Sequence, residues 1–124
     1  MSAEIKNSLG TIALNDDLIA SIAGYAAVEN YGIVGMNAKK AADSFVELFG
    51  KDNLKRGVKV NVIEGKEIEI DLYVTLEYGV SMPAVAANTR SNVRYRVEEM
   101  TGLPVRSVNI HVEAVRVETD AQNV

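Results

Sequence analysis

Between Val58 and Tyr78 the chain alternates apolar and polar residues almost without a break. Val58, Val60 and Val62 alternate with Lys59 and Asn61. Beyond Glu64-Gly65-Lys66, the residues Ile68, Ile70, Leu72, Val74, Leu76 and Tyr78 alternate with Glu67, Glu69, Asp71, Tyr73, Thr75 and Glu77. Successive side chains of a strand point to opposite faces, so period two on both sides of a turn predicts an antiparallel hairpin with one buried face. The other face is wet, acidic, or covered by a partner.

The flanking segments supply what covers the buried face. Gly10 to Leu14, apolar at Ile12 and Leu14, suits an edge strand. Asn15, Asp16 and Asp17 provide an N-cap and first-turn acids for a helix to about Asn30, with Leu18, Ile22, Tyr25 and Ala26 as its apolar stripe and Ile19 beside them. The opposite face of that helix carries Ala20, Ser21, Gly24 and Ala27. Small residues let a second backbone come close, either the chain's own next segment or another subunit. Tyr31 to Asn37 reads as a turn or short extended piece. Ala38 to Phe49 predicts a short helix burying Ala42, Phe45, Leu48 and Phe49, with Gly50 as its stop. Both phenylalanines fall there, as core or as a hydrophobic handle for a ligand or partner.

A second long helix opens at Met82-Pro83, where the missing N–H of proline at the first helical position is harmless. Its inner stripe is expected to be Met82, Ala86, Val93, Val97 and Met100, with Asn88, Ser91, Tyr95, Glu98 and Glu99 outside and Gly102 as its end. In the last strand Val108, Ile110, Val112 and Ala114 face one way, and the slip to Val115 and Val117 predicts a bulge near Ala114. Strand, helix, short helix, hairpin, helix, strand gives an α+β fold. We expect a single small domain over residues 1–124, ordered from about 8 to 117, with a mostly antiparallel or mixed sheet and the two long helices and one short helix on one face.

Composition narrows the function. The 124 residues fit one core. There is no cysteine, which excludes disulfides and thiolate metal sites. With 13 Lys and Arg against 17 Asp and Glu, the formal charge of -4 disfavours nucleic acid as a partner. Met1 to Gly10 lacks the basic start and apolar core of a secretory signal, and no window approaches the ~20 apolar residues of a membrane span. A cytoplasmic location without direct membrane insertion is expected.

The one histidine, His111, is predicted with Asn109 and Glu113 on the face opposite Val108, Ile110 and Val112. It could meet Glu67, Glu69 or Asp71 of a neighbouring strand, but a zinc site needs three or four ligands in fixed geometry and only one nitrogen donor exists. Ser21, Ser44, Ser81, Ser91 and Ser107 have no nucleophile-elbow context. Glu98-Glu99 and Glu67-Glu69 have no visible cleft to tune a carboxyl group. Glu29, in line with Leu18, Ile22 and Tyr25, is placed to reach water from the last helical turn. Gly32-Ile33-Val34-Gly35 has the bare G-x-x-G spacing of an RNA-binding KH loop, with the wrong apolar centre. Arg90, Arg94 and Arg96 read as a solvated face with i to i+4 pairing such as Arg94 with Glu98. No catalytic, cofactor-binding or metal-ligating set is expected.

Val97-Glu98-Glu99-Met100-Thr101-Gly102-Leu103 followed by Val108-Asn109-Ile110-His111-Val112 resembles the signature of the alkaline shock protein, or envelope stress response, family of Gram-positive bacteria. Ile19 to Met36 resembles the matching segment of its YloU-like branch, and the pieces LKRGVKV, IEIDLYV and EYGVSMPAVA stand in family order. The departures are Ile110 in place of valine and Pro104 after the TGL.

The resemblance implies a small cytoplasmic α/β domain without an established catalytic activity, linked to envelope homeostasis and to alkaline or general stress. Relatives are thought to reach the inner membrane face through an anchoring partner. Others occur beside a dihydroxyacetone-kinase-like protein associated with fatty acid phosphorylation. The expected partners are therefore the chain itself, as a homo-oligomer, and a membrane-anchored protein. The candidate interaction surface is Ala20, Gly24, Ala27, Asn88, Ser91 and Tyr95, and Phe45 and Phe49 form the candidate ligand or partner handle. The alternatives are a ligand carrier or accessory to a fatty acid kinase-like system, and an RNA-binding module.

Overall fold

A computed structural model of the chain describes residues 3–37, 45–46 and 56–117. In chain order its elements are β1 (Ala3–Asn7), β2 (Gly10–Leu14), α1 (Asp16–Val28), β3 (Ile33–Asn37), β4 (Phe45–Val46), β5 (Val58–Ile63), β6 (Glu67–Glu77), α2 (Met82–Thr101) and β7 (Val105–Arg116). This is a small α+β domain.

The alternating stretch forms the predicted hairpin. Val58 lies opposite Leu72 and Ile63 opposite Glu67 in antiparallel register. Its tight turn places Glu64 at φ 54 and Gly65 at φ 71, left-handed values that glycine accepts freely and glutamate only in such turns. β6 is the centre of the main sheet. On one edge β5 pairs with its first half, and β3 continues along the same edge with Met36 opposite Val74 and Ile33 opposite Leu76. On the other edge β7 runs parallel to β6 over nearly its whole length. Parallel neighbours need a long crossover, and α2 supplies it.

The apolar face of β6 is sealed, with Ile68, Ile70, Leu72 and Val74 at 0% exposure. Burying each such side chain contributes roughly 1.5–3 kcal/mol, so this strand anchors the core. Both helices cover that face. They run antiparallel, since Gly32 after α1 meets Val85 early in α2 while Glu29 reaches Arg96 farther on.

Several expectations need correction. In α1 the buried side is Ile19, Ala20, Ala23, Gly24, Ala26 and Ala27, whereas Leu18 and Tyr25 are exposed. The helix is rotated from the predicted stripe because the small side chains let α1 lie close to α2 and β5. In α2 the buried line is Val85, Thr89, Val93, Val97 and Thr101, and Met82 and Met100 face outward. The N-terminal segment expected to fray forms β1 against β2, with Ala3 fully buried and Glu4 N–H donating to the Gly65 carbonyl. The short helix expected over 38–49 lies largely outside the described residues. Its two described positions, Phe45 and Val46, instead pair as a strand with Asn37 and Met36.

The bulge predicted near Ala114 is present, because Val112 pairs with Val74 and Ala114 with Thr75, leaving Glu113 as the extra residue. A second shift makes Arg106 extra between Val105 and Ser107. The inserted residue turns Ala114 to the face of Asn109 and His111, which the simple alternation had given to Glu113.

Candidate functional site

The face of the sheet away from the helices carries the polar positions of three strands. Asp71 lies opposite Lys59 of β5 and Asn109 of β7, and Tyr73 lies opposite His111. Asn109 Nδ2 donates to Asp71 Oδ1 at 3.1 Å, and His111 Nε2 stands 3.1 Å from the same oxygen. A carboxylate only accepts, so this contact holds the proton of a neutral imidazole on Nε2. The imidazole also stacks on Tyr73, with ring centroids 4.4 Å apart and planes 10° from parallel. One histidine is thus held at its edge and on its face, with its side chain still 41% exposed. Nearby, Asn61 Nδ2 donates to Glu69 Oε1 at 3.2 Å.

This arrangement orients an imidazole and presents it to whatever covers the sheet. Among the described residues no cluster of three or more His, Asp or Glu could hold a metal ion. Sequence reasoning placed Asn109 on the face of His111 and named Asp71 as one possible neighbour, but missed the stack on Tyr73 and the bond from Asn109 to Asp71. The signal for both was the shared parity of the alternation, which becomes useful only once β6 and β7 are known to be neighbours.

The helix layer forms the opposite surface. Tyr95 is 62% exposed and its hydroxyl donates to Glu99 Oε2 at 3.1 Å. Arg94 pairs with Glu98 at 3.6 Å as the i to i+4 spacing predicts. Glu98 Oε2 also accepts from the Val105 N–H at 2.9 Å, which ties the end of α2 to the start of β7. Glu29 meets Arg96 at 3.3 Å, so its place at the helix end serves an interhelical ion pair.

Of the candidate interaction surface, Asn88, Ser91 and Tyr95 are exposed on α2. Ala20, Gly24 and Ala27 are buried within the chain's own core and are unavailable to a partner. Among the handle residues, Phe45 is described only through its backbone pairing in β4, and Phe49 lies outside the described residues. A charged recess of about 370 Å³ lies between β1 and the β5–β6 turn, lined by Glu4, Lys6, Glu64, Gly65 and Lys66.

Comparison with known proteins decides the family, because the model of the alkaline shock protein 23 family, described as having a cell envelope-related function, matches residues 4–117. The chain belongs to the alkaline shock protein family. Among its relatives, the chain is 44% identical over 118 residues to the uncharacterized protein YloU of Bacillus subtilis, covering 94% of this chain and 98% of that one. It is 39% identical over 116 residues to YqhY of the same organism, covering 94% and 84%. Similarity extends to a stress response regulator gls24 homolog of Streptococcus pyogenes, 29% identical over 107 residues, covering 86% of this chain and 59% of that protein. No solved structure matches the chain. The family match spans β1 to β7, so both the polar sheet face and the helix layer lie inside the alkaline shock protein domain.

Proposed function

We propose that this alkaline shock protein domain is a non-catalytic cytoplasmic interaction protein of envelope homeostasis and stress response, acting by self-association and by docking to a membrane-associated partner. The observation that carries the reading is the exposure of α2. A helix of 20 residues is buried along one line of five, and its broad outer face presents Tyr95 among Asn88, Ser91 and the arginines 90 and 94. An aromatic ring on an exposed, partly basic helix is the kind of anchor that interfaces use. The family's envelope-related description and the stress-response name of a relative supply the setting.

No helix among the described residues is long and apolar enough to cross a membrane, and the route to the envelope in this reading is a partner protein. The test is the solution mass of the purified chain by light scattering over a range of concentration, beside fractionation of tagged protein from Gram-positive cells. Concentration-dependent association and a peripheral membrane fraction lost in Tyr95→Glu support the reading. A monomer at every concentration with no membrane-associated fraction overturns it.

A further inference from the structure

Among the described residues β7 is the longest strand, at 12 residues, and only β6 pairs with it. A free edge of this length is a template for another strand, and monomeric proteins guard such edges with lysine, proline or bulges. β7 contains neither lysine nor proline, and its bulges sit at Arg106 and Glu113. Between them Ser107 to Val112 is regular strand.

Two hydrogen bonds fix which groups of that segment point outward. The Pro104 carbonyl accepts from Ile68 and the Arg116 carbonyl from Tyr78, so both face β6. Counting inward from either end, with one extra residue at each bulge, turns Ser107, Asn109 and His111 toward β6. The N–H and C=O of Val108, Ile110 and Val112 then face the open edge. The side chains of these three lie on the helix-covered face but near its rim, where Ile110 is half-buried and Val112 is 36% exposed.

We propose that two copies of this chain pair antiparallel through β7 about a two-fold axis at Ile110. This deepens the self-association proposed above and rests on it. A two-fold perpendicular to the sheet keeps like faces together and sets Ile110 against Ile110, with Val108 against Val112 of the other copy on either side. All three are outward-facing positions, so this register forms about six backbone hydrogen bonds. A shift of two residues either way brings a bulge into the pairing and loses bonds. Val112 gains apolar cover, and by the same count Glu113 of each copy falls opposite Ser107 of the other, with the charged Arg106 the next residue along. The edge is complementary to itself in hydrogen bonding, in apolar contact and in charge. The product is one continuous sheet with Asn109 and His111 of the two copies facing each other at its centre.

The chain has no cysteine, which permits a direct test. Hydrogen-bonded residues opposite each other lie about 5.5 Å apart at Cα, within disulfide range. Ile110→Cys is oxidised mildly beside Lys66→Cys, exposed in the β5–β6 turn and outside both the open β7 edge and the α2 face, and the mass of Val112→Lys, Arg106→Glu and Arg106→Glu/Glu113→Arg is followed against concentration, with circular dichroism confirming the fold. The expected result is rapid dimeric cross-linking at residue 110 only. Val112→Lys should weaken association about tenfold or more, Arg106→Glu about threefold, and the double exchange should recover to within about twofold. Association that Val112→Lys leaves intact, with residue 110 cross-linking no faster than residue 66, overturns edge pairing and leaves self-association standing. A wild-type monomer at every concentration overturns both.

Discussion

Tyr73 and His111 sit opposite each other on adjacent parallel strands and stack their rings 4.4 Å apart, while Asp71 holds the imidazole edge from 3.1 Å. Stacked pairs contribute about 0.5–1.5 kcal/mol beyond burial, and a half-exposed hydrogen bond adds less than about 1 kcal/mol. His111→Ala is expected to lower stability by about 1 kcal/mol in urea unfolding. His111→Phe, which keeps the stack and loses only the Asp71 contact, should lose less than half of that. Equal losses in the two variants would show that the stack contributes nothing.

Gly32 joins α1 to β3 at φ +96, and a Cβ there would stand 2.8 Å from Val85 Cγ2 and 3.4 Å from Cγ1. Gly32→Ala therefore meets both a left-handed backbone and a side chain that is 5% exposed and has little room to move. A loss of about 2–3 kcal/mol is expected. Combined with Val85→Ala the penalty should be clearly less than the sum of the single losses, because the steric part disappears and the backbone part stays. Additive losses in a double-mutant cycle would contradict this.

Asn30 ends α1 by donating Nδ2 to the carbonyls of Ala26 at 2.9 Å and Ala27 at 3.1 Å, while its Oδ1 accepts from Asn92 of α2. It is 7% exposed, so Asn30→Ala strands the Ala26 carbonyl where water reaches poorly, while the Ala27 carbonyl keeps the backbone N–H of residue 30. We expect a loss of about 2 kcal/mol. The neighbouring Arg96–Glu29 pair is 44% exposed on both sides, and Arg96→Ala should lose less than about 1 kcal/mol, a difference that fades in high salt. Denaturant melts of the two variants at low and high salt check the ranking.

The two N-caps differ in geometry. Asn15 accepts from the Leu18 N–H at 2.8 Å, whereas Ser81 Oγ accepts from Ala84 at 3.4 Å, near the limit of a hydrogen bond. Asn15→Ala is expected to lower the thermal midpoint by an amount matching about 1 kcal/mol, and Ser81→Ala by less than half of it. The reverse order would show that cap distance does not govern these ends.

Local chemistry by itself determined the β5–β6 hairpin, the N-cap at Asn15, the start of α2 at Met82-Pro83 and its stop at Gly102 with φ 76, and the bulge before Ala114. Each is set by side-chain period or by one residue's backbone preference, which act within a few positions of the chain. The family was legible as well, since its signature residues are contiguous. Only the tertiary structure decided which side of α1 is inside. Periodicity says which residues share a face, and it favoured the larger side chains of Leu18 and Tyr25. The fold instead buries Ala20, Gly24 and Ala27, because two helices lying over one narrow sheet gain more from close approach than from bulk. Phe45 and Val46 form a strand where local pattern suggested helix, because a partner strand in β3 is there to receive them. The setting of His111 followed the same logic. Its outward direction could be read from alternation, but Asp71 and Tyr73 became its neighbours only when α2 carried β7 back alongside β6. Pairing between distant segments is settled by the whole sheet, and that information is held in no single stretch of sequence.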